Sequence, residues 1–456
     1  MSEQESTLDE FVGDGSEVDG KRAEELARKT VCGIPPSDWS VVRLGEAVSV
    51  VSGNSLPTEY QDESGGEHPV YKVSDMNESE NQKYVSTVDN RLSKEDLEEL
   101  NHTLYPEKTT ILPKVGAALL TNKRRMLTEP SSFDNNVMGW VPEEINPEFL
   151  YYVSCMVDME AVAQKGAVPS ISKAIAQSLK VPSPPLEEQR KIASVLYTVD
   201  QAIQKTDEVI NQVERVKIGL MQDLFRTGID DPETKELRRI GRVPEHWDVV
   251  KLGDVCKKIT DGTHKSPPTI EDGYPYITSQ NVRDWGFDLD DLKYISEEDH
   301  SRITSRCNPE PGDVLYVKDG ANTGNVNINT LDFEFSLLSS VALIKPDRDK
   351  LKPWFLKYLC SWPKFRELIL SQMSGTGIRR LTISKLEKTD ILLPPIEEQT
   401  RIVELLDEYY SYHQNQREWK NKLKQLKKGL MQDLLSGEVR THDKDIELIN
   451  DVLQHG

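Results

Sequence analysis

Apolar positions recur with a seven-residue period over two stretches of this chain. In the first, Ile192, Leu196, Val199, Ile203, Thr206, Ile210, Val213, Lys217, Leu220 and Leu224 follow one another at alternating steps of four and three. That spacing is the seam of a coiled-coil helix. The second stretch, residues 394–434, aligns with residues 184–224 at a constant offset of 210, with 17 of 41 positions identical, concentrated in PPxEEQ and GLMQDL at the two ends. Its seam runs through Ile402, Leu406, Leu423, Leu430 and Leu434, but His413, Gln416 and Lys420 stand where the first copy has Ile203, Thr206 and Ile210. The poorer seam predicts that the two helices pair with each other, antiparallel, as a strut. Pro184–Pro185 and Glu187–Glu188 suit a helix start, where the first amides need no partner and the dipole favours acids. Gly228 and Gly437 supply left-handed stops. Each helix would extend roughly 55 Å at about 1.5 Å per residue.

The sequence around these helices repeats as well. IPPSDWSVVRLGEAV after Gly33 corresponds to RVPEHWDVVKLGDVC after Gly241, pairing Trp39 with Trp247 and Gly45 with Gly253. VYKVSDMN, ILPKVG and NPEFLYYV then match PYITSQNV, LYVKDG and KPWFLKYL in the same order. Short β-rich runs broken by turn residues, with a helix near each globule's end, predict domains of about 150 residues. The expected fold class is α+β: two similar α/β globules separated by two long antiparallel helices, a coiled-coil strut, with a pseudo-twofold internal repeat. The expected order is an acidic, disordered extension (1–28), globule one (29–183), helix (184–228), polar linker (229–242), globule two (243–393), helix (394–437) and acidic tail (438–456).

Composition narrows the class. Five scattered cysteines without CxxC spacing argue against a zinc site or disulfide framework and fit a reducing cytoplasm. No signal peptide or membrane span is evident. The net charge of −21 runs against nucleic-acid binding, but residues 1–19 carry seven acids and no base, and 436–456 carry five acids against two bases. Any DNA contact therefore has to be local.

Enzyme motifs are missing. Ser183-Pro184-Pro185-Leu186 resembles the flipped-adenine loop of amino-methyltransferases, but leucine replaces the aromatic that must stack on the base. No Gly-rich nucleoside turn or GxxxxGK phosphate cradle occurs. Glu233-Thr234-Lys235 after Asp231 sits in the polar linker, with no strand to hold carboxylates on a metal, and the eight histidines form no ligand spacing. What remains is a set of polar, basic loops at matching places in the two globules. In the first these are Lys72, Ser74, Lys114, Lys123, Arg124, Arg125, Asn135 and Asn136. In the second they are Thr263, His264, Lys265, Ser279, Gln280, Asn281, Arg283, Lys318, Asn322, Thr323, Arg379 and Arg380. Charge would meet phosphates, while forked donors and amides would read guanine and adenine edges. A single basic run is more often a solvated loop. Its recurrence in two copies favours a base-reading surface.

The duplicated PPLEEQ/PPIEEQ and GLMQDL motifs, DGTHKSPP (residues 261–268) and GTGIRRLTISKL (375–386) together resemble the DNA-specificity subunit of type I restriction-modification enzymes, over about residues 33–437. The resemblance implies that the globules are target-recognition domains reading an asymmetric, bipartite site in double-stranded DNA. It implies a non-catalytic cytoplasmic adaptor that docks two modification subunits, which methylate adenine N6, and restriction subunits. S-adenosylmethionine, ATP and Mg would then be carried by those partners, with no cofactor or metal on this chain. The chain departs from the pattern in GAVPSISK (166–173), where the second copy has GTGIRRLTISK, and in its acidic extension. The bottom-up alternative is a coiled-coil scaffold without sequence-specific DNA binding.

Overall fold

The computed structural model describes residues 27–61, 65–164, 166–230, 233–320, 322–373 and 380–441. The acidic extension lies almost wholly outside them, as do the tail beyond 441 and Arg379. The chain divides into two compact units: unit 1 is Met1–Gln204 with Asn421–Gly456, and unit 2 is Lys205–Lys420. The division falls inside both long helices, α1 (Leu186–Thr227) and α2 (Ile396–Ser436). The helices expected as separate spacers are thus shared between the units, because each half is built into a globule's core.

In unit 1 the buried cluster joins Trp39, Trp140, Phe149 and Tyr152 of the globule to Ile192 and Leu196 of α1 and to Leu434 and Leu435 of α2. In unit 2 Trp247, Phe355 and Trp362 pack with Leu224 and Phe225 of α1 and Ile402 and Leu406 of α2. Each such side chain contributes about 1.5–3 kcal/mol by leaving water. Inside unit 1 the helices run antiparallel, with Asp200 of α1 2.5 Å from Lys427 of α2. Inside unit 2 they do so again: Lys420 of α2 pairs with Asp207 of α1, and Arg401 near the start of α2 with Asp230 just past the end of α1. Ile192, Leu196, Val199, Ile210, Leu224, Ile402, Leu406, Leu423 and Leu434 are buried, whereas Ile203, Val213, Leu220 and Leu430 are half-buried. Gly228 and Gly437 end the helices at φ +72° and +78°, conformations that glycine adopts without strain.

The repeated motif at each helix start has a structural cause. Glu188 accepts a hydrogen bond from the Trp39 indole at 3.0 Å, and Glu398 accepts one from Trp247 at 3.1 Å. Gln189 donates to Pro184 O and accepts from the Asn146 amide. Gln399 does the same with Pro394 O and the Lys352 amide. Each globule is thereby latched to the helix that follows it.

The globules share one topology. Unit 1 has a sheet ordered Val48–Ser52, Val137–Pro142, Thr110–Pro113, Arg125–Leu127 and Tyr84–Val85, beside a three-stranded sheet centred on His68–Tyr71. Unit 2 repeats the first four of these strands as Cys256–Asp261, Val341–Pro346, Val314–Val317 and Val326–Ile328, with Tyr274–Ile277 central in the second sheet. In both, the central strand of the small sheet has one antiparallel and one parallel neighbour. A two-stranded clasp, Ser40–Arg43 with Lys180–Ser183 and Asp248–Lys251 with Asp390–Leu393, closes the start of each globule onto its end.

The expected polar linker is in part a β-hairpin. Thr234–Leu237 pairs with Gly241–Pro244, turning through Gly241 at φ +92°. Lys235 donates to the carbonyls of Glu245 and Trp247, so its ammonium braces the hairpin. Among the described residues no helix is long and apolar enough to cross a membrane.

Candidate nucleic-acid interface

At one end of the larger sheet in unit 2, three loops and the segment after residue 380 meet around Lys318. Its amide donates to Ser340 O at 2.9 Å and its carbonyl accepts from Leu381 at 3.4 Å. Its ammonium is buried, 2.8 Å from Asp319 and 3.4 Å from Asp261. Asp261 also faces Arg306 at 3.4 Å and His264 at 3.5 Å. The next residue, Gly262, passes so close to the neighbouring strand that a Cβ would lie 1.8 Å from Leu337 O. Thr263 then joins that strand by accepting from Ser339 and donating to Leu337 O. Asn322 reaches across to Ser279 O at 3.1 Å, and Arg283 to the same carbonyl at 3.4 Å. On this frame His264, Lys265, Gln280 and Arg380 are exposed, with Ser279, Arg283, Asn322 and Thr323 half-buried beside them.

Unit 1 builds the same frame around Lys114. Its amide donates to Asn136 O and its carbonyl accepts from Ile171, both at 2.9 Å, so Ile171 takes the place that Leu381 takes in unit 2. Gly53 repeats the close approach, with a Cβ position 1.9 Å from Phe133 O. Ser74, Asn135 and Asn136 are exposed, and Lys72, Lys114 and Lys123 half-buried. Burial lowers the Lys114 pKa while nearby Asp134 opposes the shift.

Several residues expected to read bases are engaged in holding the fold. Arg124 is only 2% exposed. Its guanidinium donates to Ser154 O, Lys123 O and Val157 O at 3.0–3.1 Å, capping the helix Pro147–Met156. Arg125 is half-buried and donates to Arg124 O and Met76 O. Lys123 pairs with Asn77. Lys318 is closed off by its two aspartates. Buried Asn281 braces its turn by accepting from the Thr278 amide and donating to Asp288 O. Thr263 is buried too, its hydroxyl bonded to Lys265 O. Donors assigned to DNA are thus engaged within the chain, fully so for the Arg124 guanidinium, whereas Arg125 keeps a buried Nε without a partner.

Sequence reasoning passed over residues that set the loop geometry. Arg306, Ser340 and the close-packed Gly53 were unassigned, while Asp261 and Gly262 stood in the loop expected to read bases. The readable signal was that SGN (52–54) and DGT (261–263) stand in the same place in the repeat. A second matching pair lies beneath: His102 Nδ1 meets Ser132 Oγ at 2.8 Å, and His300 Nδ1 meets Ser336 Oγ at 3.0 Å. Both histidines are buried, in keeping with hydrogen-bonding groups. Among the described residues no cluster of His, Cys, Asp and Glu is arranged to hold a metal ion.

The family described as type I restriction modification DNA specificity domain matches the chain twice, over residues 36–215 and 244–425. Similar curated proteins include two from Methanocaldococcus jannaschii. One, named for the specificity subunit of the MjaX type I restriction enzyme, is 26% identical over 448 residues, covering 91% of this chain and 97% of the relative. The other, the type I restriction enzyme MjaVIII specificity subunit, is 23% identical over 411 residues, covering 89% and 94%. Among solved structures, the type I restriction-modification S subunit from M. genitalium aligns with a TM-score of 0.49 at 14% identity, covering 87% of this chain and 96% of that one.

Proposed function

The chain belongs to the type I restriction modification DNA specificity family, and from that premise we propose that each of its globules reads one half of a bipartite DNA target. It is the specificity subunit of a type I restriction-modification system and works in a complex with other subunits. The observation that carries the two-half reading is the repeated loop frame. One scaffold, built around Lys114 and again around Lys318, presents different exposed side chains in its two copies: Ser74, Asn135 and Asn136 in one, His264, Lys265, Gln280 and Arg380 in the other. Different side chains on one frame read different bases, so the two half-sites differ.

The partners are modification subunits that methylate adenine N6 and restriction subunits that cut, with S-adenosylmethionine, ATP and Mg held by those subunits and the chain itself acting without catalysis. Supporting this, α2 in unit 2 leaves Leu405 and Tyr412, one heptad apart, 42% and 48% exposed. On α1 in the same unit Val209 and Val216 repeat that spacing and exposure. Apolar heptad positions facing water are suited to a partner's helices.

The test is methylated-motif sequencing in cells that co-express the modification subunit, with two arginines compared. Arg380→Ala, on the surface, should degrade readout of one half-site by about 1–3 kcal/mol and leave stability unchanged. Arg124→Ala should cost about 3 kcal/mol of fold stability by orphaning buried carbonyls, without changing the motif of the molecules that fold. A gel shift at low salt showing equal affinity of the assembled complex for all sequences would instead favour a scaffold.

A further inference from the structure

The two frame lysines share their backbone positions and differ in what surrounds the ammonium. Lys318 has a buried side chain, closed between Asp261 and Asp319. In unit 1 Ser52 stands where unit 2 has Asp261. Lys114 is half-buried, with Asp134 near enough to act on its charge but forming no ion pair with it among the described residues. We propose that Asp261 and Lys318 are positioning residues that set base readout by the second globule without touching DNA, whereas Lys114, their counterpart in the first, binds a backbone phosphate directly. This rests on the DNA-reading function assigned above and divides its labour between residues.

Geometry carries the inference. A buried ammonium facing two carboxylates has no exposed charge to release counterions from DNA, so it supplies no phosphate term. It does fix the loops. Through its backbone Lys318 ties the Ser340 turn to the segment following Arg380, and through its side chain it holds the start of the Asp261–Lys265 loop. Arg306 seals the same carboxylate and donates to Gly262 O. With Gly262 pressed on Leu337 O, the exposed His264 and Lys265 project from a backbone that has no slack on either side. Removing the Asp261 charge frees that loop. In unit 1 the loop is held by Gly53 and the Asn54–Asp134 bridge without an ion pair, which leaves the Lys114 ammonium for DNA.

The full chain, assembled with its modification subunit, tests this by two readouts: the methylated motif in cells, and the salt dependence of binding to its own target. Asp261→Asn and Lys318→Met should raise methylation at sites mismatched in one half-site about tenfold. They should leave the other half-site intact and the slope of log affinity against log salt unchanged. Lys114→Ala should keep both half-sites and reduce that slope by about 0.9, one phosphate contact. A slope lowered by Lys318→Met with the motif intact would overturn the proposal, since Lys318 would then be a phosphate ligand. Should Lys318→Met not accumulate, Asp261→Asn decides alone, and an unaltered motif overturns the positioning role. Lys265→Ala/Gln280→Ala separates the two levels, because these exposed residues lie off the ion cluster. If that pair alters a half-site and Asp261→Asn does not, positioning fails and DNA reading stands. If it alters neither motif nor affinity, DNA reading by this face fails and the proposal with it.

Discussion

Each globule meets its long helices around a lysine set among aromatic rings, and burial lowers the pKa of both, but one ammonium is paired with a carboxylate and the other is not. In unit 1 the Lys83 ammonium lies 4.2–5.3 Å from the centroids of Tyr84, Tyr151, Tyr152 and Tyr197. It pairs with Glu148 at 2.5 Å and donates to the Tyr152 hydroxyl at 2.8 Å. In unit 2 the Lys357 ammonium is 3.3 Å from the Tyr410 centroid, with Trp354 and Tyr358 around it, and meets no hydrogen-bond acceptor. The repeat explains how. Glu148 corresponds to Trp354 and Tyr151 to Lys357, while on the long helices Tyr197 corresponds to Asp407 and Asp200 to Tyr410. Charge and ring have exchanged places at four positions. The aromatic cage survives the exchange, but the carboxylate beside the ammonium does not, and burial drives the Lys357 pKa well below the usual lysine value.

The comparison predicts substitutions of opposite sign. Lys83→Met should cost about 1–3 kcal/mol, because it takes the cation from partly buried Glu148 and leaves that carboxylate with the Tyr84 hydroxyl. Lys357→Met should stabilise unit 2 by about 1–3 kcal/mol, since it replaces a buried, unpaired ammonium with an isosteric apolar chain. Denaturant titration with hydrogen exchange resolved by unit measures both, and a loss in both variants would break the contrast. Its pH dependence follows. With the folded pKa of Lys357 lowered, the unfolded chain binds the extra proton, so unit 2 gains stability as pH rises toward 10.5. Lys357→Met should abolish that gain.

The last contrast concerns His413 on α2, whose pKa falls to about 4, chiefly by burial and next by Lys217. Glu214 opposes the shift, while Arg417 and Lys357 add to it. The folded pKa lies below the unfolded value of 6.5, so the unfolded state takes up a proton between pH 6.5 and about 4. Stability should therefore fall across that window by up to about 1.4 kcal/mol per pH unit. His413→Leu should flatten the window relative to the parent in urea titrations at pH 4.5 and 7. An unchanged difference would show that other groups govern it.

These contrasts mark where sequence reading works. The long helices, their stops and the repeat were legible because a seven-residue apolar period and a fixed offset are local, additive signals. The polar positions that make the α2 seam poorer are accommodated in the fold: Lys420 finds Asp207, and His413 is buried. The loops were legible as places and less so as chemistry. A lysine following a strand looks the same whether its ammonium faces a phosphate or, as Lys318 does, an aspartate 57 residues earlier in the chain. Arg124 misled for the same reason, since its basic run gives no sign of the carbonyls waiting at Ser154 and Val157. The hairpin at Thr234–Pro244 was hidden by polar composition, which a short exposed ribbon tolerates.

The tryptophan–glutamate latch also bears on inheritance. Trp39 with Glu188, and Trp247 with Glu398, place both halves of each fastening within one uninterrupted stretch of gene. A recombination crossover between codons 189 and 247 transmits each stretch whole, so the daughter chain receives a globule already matched to its own helix start. A crossover inside either stretch joins a tryptophan to a glutamate that descended with a different globule. Breakpoints in surviving hybrid genes should therefore accumulate within the coding sequence of α1 and the hairpin, where exchange brings new combinations without parting a latch.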